Sequence, residues 1–459
     1  MTPKTRREAL KSFGAIIAGT GLASRLMASE REDYISIEDY QGVNAPVSRP
    51  LTAIVIGAGN RGNVYASYAL RFPEELKIVG VAEPVPHKNE RFAKAHQIPE
   101  ENRFKTWEDV FKKPRFADAV IITTPDNLHY GPAMAAIPMG YDMILEKVVA
   151  QTWKQCNDIL KAAVKFNTIV AVCHVLRYTP YFRKIREICS SGELGDILSV
   201  QHLEPVEHIH MSHSFVRGPW RNEKESNPMI LSKSCHDTDI LRWVIDKPAR
   251  KVSSFGKLSY FRKENAPAGS PLRCMDGCPA ESTCPYSALK IYLKQKAYLG
   301  HLNLDTGTDE EILDRLRTMR YGICVFKQDN DVVDHQVANF EFEGGITAAF
   351  SMEAMTHYGG RRTKIMGTKG HLSGDETDLE LSNFSTGKVT RWSARDLPVT
   401  SGHGGGDYGL VHDFVRASLQ KDPTILTSTI QASMESHLMG FKAEESRHAG
   451  GKPVDISLD

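Results

Sequence analysis

No apolar run in this 459-residue chain reaches the roughly 20 residues that a helix needs to cross a bilayer, so no membrane span is expected. An excess of one charge is missing too. Lys and Arg number 57 against 56 Asp and Glu, which excludes a strong field for nucleic acid or an anionic membrane. There is no repeat at a fixed period and no long low-complexity tract, which excludes solenoids, propellers and collagen-like arrays. Cysteine is scarce, at eight residues, yet three fall within eleven positions in "CMDGCPAESTC" from Cys274. What remains is the composition of a globular chain long enough for two domains and an insertion.

The first residues do not read as part of a fold. "TRREALK" from Thr5 places Arg6 and Arg7 before the mildly apolar "FGAIIAGTGLAS". Paired arginines before such a stretch resemble a twin-arginine export signal over 1–29. Arg25 interrupts the apolar run, and the alternative is an amphipathic or disordered tail on a cytoplasmic protein. Residues 30–50 are polar and read as a linker.

A nucleotide-binding pattern follows. "LTAIVI" from Leu51 is a buried parallel strand by composition. Gly57, Gly59 and Gly62 come next at G-x-G-x-x-G spacing and open a helix through Asn60 and Arg61. The first glycine permits the turn, the second lets backbone approach a pyrophosphate, and the third lets helix and strand pack. Glu83 closes the second strand in "LKIVGVAEP", where a carboxylate suits two ribose hydroxyls and repels a 2′-phosphate, so NAD is expected over NADP. Further strand–helix units place Thr124, Pro125, Asn127, His129, Glu146, Lys147, His174 and Arg177 at carboxyl ends of strands. The expected fold class is α/β, an N-terminal doubly wound parallel sheet of the Rossmann type over 51–175. From 195 to 400, segments such as "VANFEFEGGITAAFSM" alternate at period two.

The ordered set "GAGNRG", "VAEP", "TTPDNLH", "LEKV", "HVLRYTP" and "SCHDTDILRW" resembles the glucose–fructose oxidoreductase, inositol dehydrogenase and MocA family. The resemblance implies an α+β second domain over 176–459 with a large, mostly antiparallel open sheet. It also implies oxidation of a sugar, polyol or glycoside hydroxyl by hydride transfer to NAD, and since an open antiparallel sheet often ends at a subunit interface, a homo-oligomer is expected. The family's Glu-Lys-Pro appears as Glu146-Lys147-Val148, which sets Lys147 beside the reacting hydroxyl. A family aspartate one helical turn before the histidine is Ser232 here, so Lys147, Lys233 and His236 share proton transfer. The cofactor set is Gly57, Gly59, Asn60, Arg61, Gly62, Glu83, Thr124, Pro125, Asn127, His129, Glu146, Lys147 and Arg177. Substrate contacts are expected from His213, Arg217, Trp220, Asp237 and His403, the last on the glycine-rich loop "HGGGDYG". An exported enzyme has no cytosolic NAD pool, so NAD is expected to stay bound and be recycled. The alternative is an NAD-dependent glycosidase working by oxidation, elimination and reduction.

Cys274, Cys278 and Cys284 lie on a Gly/Pro-rich insert at about 262–325, with Cys324 left as their partner. A closed structural zinc site is the first expectation. Disulfides and an iron–sulfur cluster are the alternatives. The last helical segment, from Tyr408 to about Ser446, is expected to pack back on the first domain.

Overall fold

The computed structural model describes residues 47–304, 306–396 and 402–458. The export signal and most of the linker lie outside the described residues. Six parallel strands form the first sheet: β1 (Leu51–Ile56), β2 (Leu76–Ala82), β3 (Arg103–Phe104), β4 (Ala119–Ile122), β5 (Asp142–Leu145) and β6 (Val170–Val172), in the order β3-β2-β1-β4-β5-β6. The short runs "AVII", "DMIL" and "VAV" are buried at every position, as helices on both faces require. One face is covered by α1 (Asn60–Arg71) and α2 (Pro86–Ala95), the other by α3 (Tyr130–Ala136) and α4 (Trp153–Phe166). Register aligns the carboxyl ends. Ile56 sits level with Ala82 and Ile122, Ile122 with Leu145, and Leu145 with Val172. The residues that follow these strands therefore share one rim, at the point where strand order reverses.

The second sheet has nine strands in a mixed, mostly antiparallel order, β14-β13-β12-β11-β7-β10-β9-β8-β15. They are β7 (Ile197–Pro205), β8 (Ala249–Lys257), β9 (His335–Phe342), β10 (Thr347–Glu353), β11 (Arg362–Gly367), β12 (Gly370–Gly374), β13 (Asp378–Asn383), β14 (Val389–Ser393) and β15 (Val454–Asp455). Only β7 and β10 pair in parallel. In β9, "HQVANFEF", exposed and buried residues alternate strictly, so one face is packed and the other open. The packed face lies against α5 (Pro180–Ser191), α6 (Cys235–Ile245) and the C-terminal helix through Ile185, Leu241 and Leu438.

Between β8 and β9 the chain leaves the sheet. This insert includes α7 (Asp309–Thr318), whose Thr308 and Glu311 form a capping box. It builds its own small core from Ile291, Tyr292, Ile312 and Leu316. Two helices, α8 (Gly406–Gln420) and α9 (Ile430–His448), lie between β14 and β15. Leu410 and Phe414 of α8 pack with Tyr65 and Tyr68 of α1. α9 joins both domains, with Ile430 and Met434 in the first core and Leu438 and Met439 in the second.

Candidate active site

The glycine turn is shaped by steric demand at two of its three glycines. Gly57 has φ +96°, and a Cβ there would meet Thr123 O at 2.7 Å. A Cβ at Gly62 would meet Gly57 O at 2.2 Å, while one at Gly59 would meet nothing within 4 Å. The open space lies over the N-terminus of α1, which has no side-chain cap and no acid in its first turn. Asn63 Nδ2 donates to the carbonyls of Ala58 and Gly59, at 2.9 and 2.7 Å. Unpaired helix N–H groups facing an open backbone are what a diphosphate requires. Glu83 is buried and accepts from Ala58 N and Val85 N, both at 2.9 Å, so it braces the turn from the second strand. These residues fit a dinucleotide: the turn and helix would hold its diphosphate, and Glu83 its ribose.

Arg61 reaches across the crevice instead of into it. Its Nε donates to Glu146 Oε1 at 2.7 Å and its Nη2 to Asp407 Oδ1 at 2.5 Å, and its guanidinium lies over Tyr65. Glu146 also accepts from Tyr65 OH and Lys147 N, both at 2.8 Å. Burial would raise the Glu146 carboxyl, but Arg61 and Lys147 outweigh it and hold it below the usual range. Asp407 is held to about 2, where burial is overcome by His403 and Arg61. This buried network ties the rim of β5 to the loop that opens α8.

Lys147 follows Glu146 at the end of β5, and the Lys147–Val148 peptide bond is cis. Its Nζ donates to Ser232 O at 2.6 Å, at the position where the family pattern expects an aspartate. His236, His174 and His437 cluster around it, with ring centroids 6.0 Å apart for His174–His236 and 5.3 Å for His174–His437. Burial, with Lys147 next, holds His236 well below the ordinary histidine value. Burial takes His174 to about 3 against the pull of Asp239. His210, also under the field of Lys233 and Lys147, is taken to about 4 by burial first. These are neutral imidazoles around one ammonium. His236 Nδ1 has no hydrogen-bond partner, and the His403 ring lies 6.3 Å from His236.

The floor is a second ion network. Lys233 Nζ lies 3.1 Å from Glu204, and Arg361 joins Glu204 at 2.6 Å to Asp237 at 2.6 Å. His202 bonds Asp237 at 3.0 Å.

Several residues singled out from sequence are held by packing partners. Asp237, fully buried, accepts from Arg361 and pairs with His202 through one carboxylate oxygen. Arg177 holds Asp239 with two bonds of 2.7 Å and donates to Thr427 O, so it ties α6 to the chain before α9. His213 is sandwiched between Tyr298 and Tyr321, at 3.9 and 5.2 Å, and bonds Tyr292 OH at 2.8 Å. Arg217 is buried against the cysteine insert, with Nη2 donating to Tyr286 O at 2.8 Å. Trp220 Nε1 donates to Asp126 Oδ1 at 3.3 Å, and Ser226 donates to the same carboxylate at 2.7 Å, which docks the second domain on the first. His129 bonds two backbone carbonyls, Val148 O at 2.6 Å and Thr124 O at 2.9 Å, and so fixes the loop that carries Pro125 and Asn127. Tyr65, Asp407, Glu204, His202, Arg361 and His437 were not assigned from sequence. Most of their partners lie far along the chain, although Tyr65 and Asp407 also have partners four residues away, Arg61 and His403.

The four insert cysteines are free thiols lining one small cavity. Among the described residues, the single group of three metal-ligand types with atoms within 4.8 Å of one another is Glu223, Glu444 and His448. Arg447 already pairs with Glu223 and Glu444 there. No three cysteine sulfurs meet that spacing, so they stand wider than the roughly 3.8 Å separation that tetrahedral zinc imposes. The sulfurs as placed are not drawn together as a tetrahedral zinc would hold them.

Two family models match the chain: "Oxidoreductase family, NAD-binding Rossmann fold" over 51–174, and "Oxidoreductase family, C-terminal alpha/beta domain" over 186–456. YteT of Bacillus subtilis, named as an oxidoreductase, is 26% identical over 378 residues, covering 77% of this chain and 84% of that one. The scyllo-inositol 2-dehydrogenase (NAD+) of B. subtilis is 23% identical over 208 residues, 44% of this chain and 56% of that protein. This chain thus spans about half the length of that curated relative. In fold, the inositol dehydrogenase homolog of Azotobacter vinelandii, solved with NAD+, superposes with a TM-score of 0.65. It is 16% identical, and the match covers 89% of this chain and 98% of that one.

Proposed function

We propose that this chain, which belongs to the Gfo/Idh/MocA oxidoreductase family, oxidises a hydroxyl of a sugar, polyol or glycoside with NAD as hydride acceptor. The observation that carries the reading is the Lys147 ammonium among neutral buried histidines, on the same rim as the glycine turn. Bound NAD supplies the nicotinamide carbon that takes the hydride. Lys147 donates a hydrogen bond to the reacting oxygen and stabilises negative charge as it grows there. His236 takes the hydroxyl proton at a ring nitrogen, which its depressed basicity leaves free to accept. Glu83 favours NAD over NADP, since a second anion would meet a buried carboxylate. The Arg61–Asp407 tie fastens this rim to the loop that opens α8.

The twin-arginine segment gives this chemistry its setting outside the cytosol, with NAD held through many turnovers and its hydride returned to a second sugar. The open face of the second sheet, with Phe255 and Val337 exposed, suits pairing with another copy of the chain. The test is absorbance at 340 nm after polyols, aldoses and chromogenic glycosides are supplied to protein of known NAD content. Reduced dinucleotide from a polyol or sugar supports the reading. Aglycone release without reduced dinucleotide supports the oxidation–elimination–reduction glycosidase instead.

A further inference from the structure

Arg217 carries a positive charge into the interior without an acid to meet it. It is 0% exposed. Its Nε donates to Ile323 O at 2.9 Å and its Nη2 to Tyr286 O at 2.8 Å, with Cys274 Sγ at 3.6 Å. Its Nη1 is buried without a partner. Among the described residues no carboxylate pairs with it. A buried guanidinium left so is costly unless an anion lies close. Apart from Glu281, which accepts from Ser287, the groups lining the adjoining cavity that can become anionic are the thiols. Cys274, Cys278, Cys284 and Cys324 line one cavity with Phe326 and Glu281. Backbone N–H groups of Tyr286 and Phe326 donate to the sulfurs of Cys284 and Cys324. Burial still holds both thiols above the ordinary cysteine value, and these donors oppose it.

We propose that Cys274, Cys278, Cys284 and Cys324 ligate one iron–sulfur cluster, whose net negative charge Arg217 neutralises. Each thiol gives its proton to solvent on binding, and four thiolates complete the coordination. The sulfur spacing selects a cluster over a single ion: a lone zinc would draw the sulfurs together, whereas a four-iron core holds its thiolates well apart. Cys278 and Cys284 are each followed by proline, which ends the local chain without an N–H competing for the cavity. The centre fastens the insert at both ends, since Cys274 precedes its small core and Cys324 follows it. It thereby sets Tyr298 and Tyr321 around His213. This assignment is independent of the hydride-transfer reading.

The experiment is purification of the full chain without oxygen, followed by iron, acid-labile sulfide and zinc analysis and a visible spectrum. About four irons and about four sulfides per chain, with a visible band bleached by dithionite, are expected. Cys284→Ser should lose most of the iron and the band. Its NAD affinity, measured alongside, separates cluster loss from unfolding. One zinc per chain without sulfide overturns the cluster. So do metal-free protein with four titratable thiols, and a Cys284→Ser variant that folds with its iron retained.

Discussion

Replacing Arg61 with methionine removes the one cation shared by two buried carboxylates. The side chains of Glu146 and Asp407 are 8% and 0% exposed, and Arg61 itself is 24% exposed. Removing one member of a buried ion pair costs about 3–5 kcal/mol. Tyr65 OH, Lys147 N and His403 remain as partners, so the lower end, about 3 kcal/mol near pH 7, is expected. The pH dependence distinguishes this cause from lost packing. With Arg61 present, both carboxyls sit below their usual range, so their stabilisation exists above the unfolded-state values and fades as pH falls through the folded ones. Without Arg61, burial dominates and raises both. The deficit then appears only where they are ionised and shrinks on acidification, by up to about 1.4 kcal/mol per pH unit for each titrating group. Urea unfolding followed by circular dichroism at several pH values reads the difference. The wild-type and Arg61→Met midpoints should separate near neutrality and converge toward about pH 4. A pH-independent gap, or one under about 1 kcal/mol near pH 7, refutes the network as the brace of this rim.

Other consequences follow from the same contacts. His174 has a folded value of about 3 against an ordinary 6.5, so its contribution is complete above 6.5 and lost as pH falls toward 3; His174→Gln should flatten the acid limb of the stability profile. Glu83→Ala should narrow the preference for NAD over NADP at least about tenfold, about 1.4 kcal/mol, measured by dinucleotide titration; an unchanged ratio places selectivity elsewhere. Asp126→Ala leaves Trp220 and Ser226 without their shared acceptor and should lower stability by about 1–3 kcal/mol, read in urea.

The sequence carries the first domain well because its signals are local. The glycine turn, the strand that precedes it and Glu83 lie within 33 residues, and parallel register then brings Glu146 and Lys147 to the same rim. The mixed second sheet comes through period-two alternation, which β9 shows at every position. Charge pairing is less legible. Arg61 and Asp407 are 346 residues apart, and Arg361 and Asp237 are 124 apart. Residue type alone makes Asp237, Arg177 and Arg217 look like ligand contacts. Packing turns the first two into buried ties between elements, and turns Arg217 into the unneutralised cation beside four thiols. The loss of the family aspartate at Ser232 is visible in sequence, but its consequence is not. There Lys147 takes a backbone carbonyl, which nothing in the residue type reports.

The central claim is that Lys147 stabilises the reacting oxygen while the glycine turn, not Lys147, holds the dinucleotide. Single-turnover absorbance at 340 nm tests it, comparing wild type and Lys147→Met at saturating NAD and an active polyol or sugar. The expected result is a rate lowered about 10²–10⁴-fold, with NAD affinity changed no more than a few-fold. An unchanged rate, or a loss explained wholly by failure to bind NAD, contradicts the account.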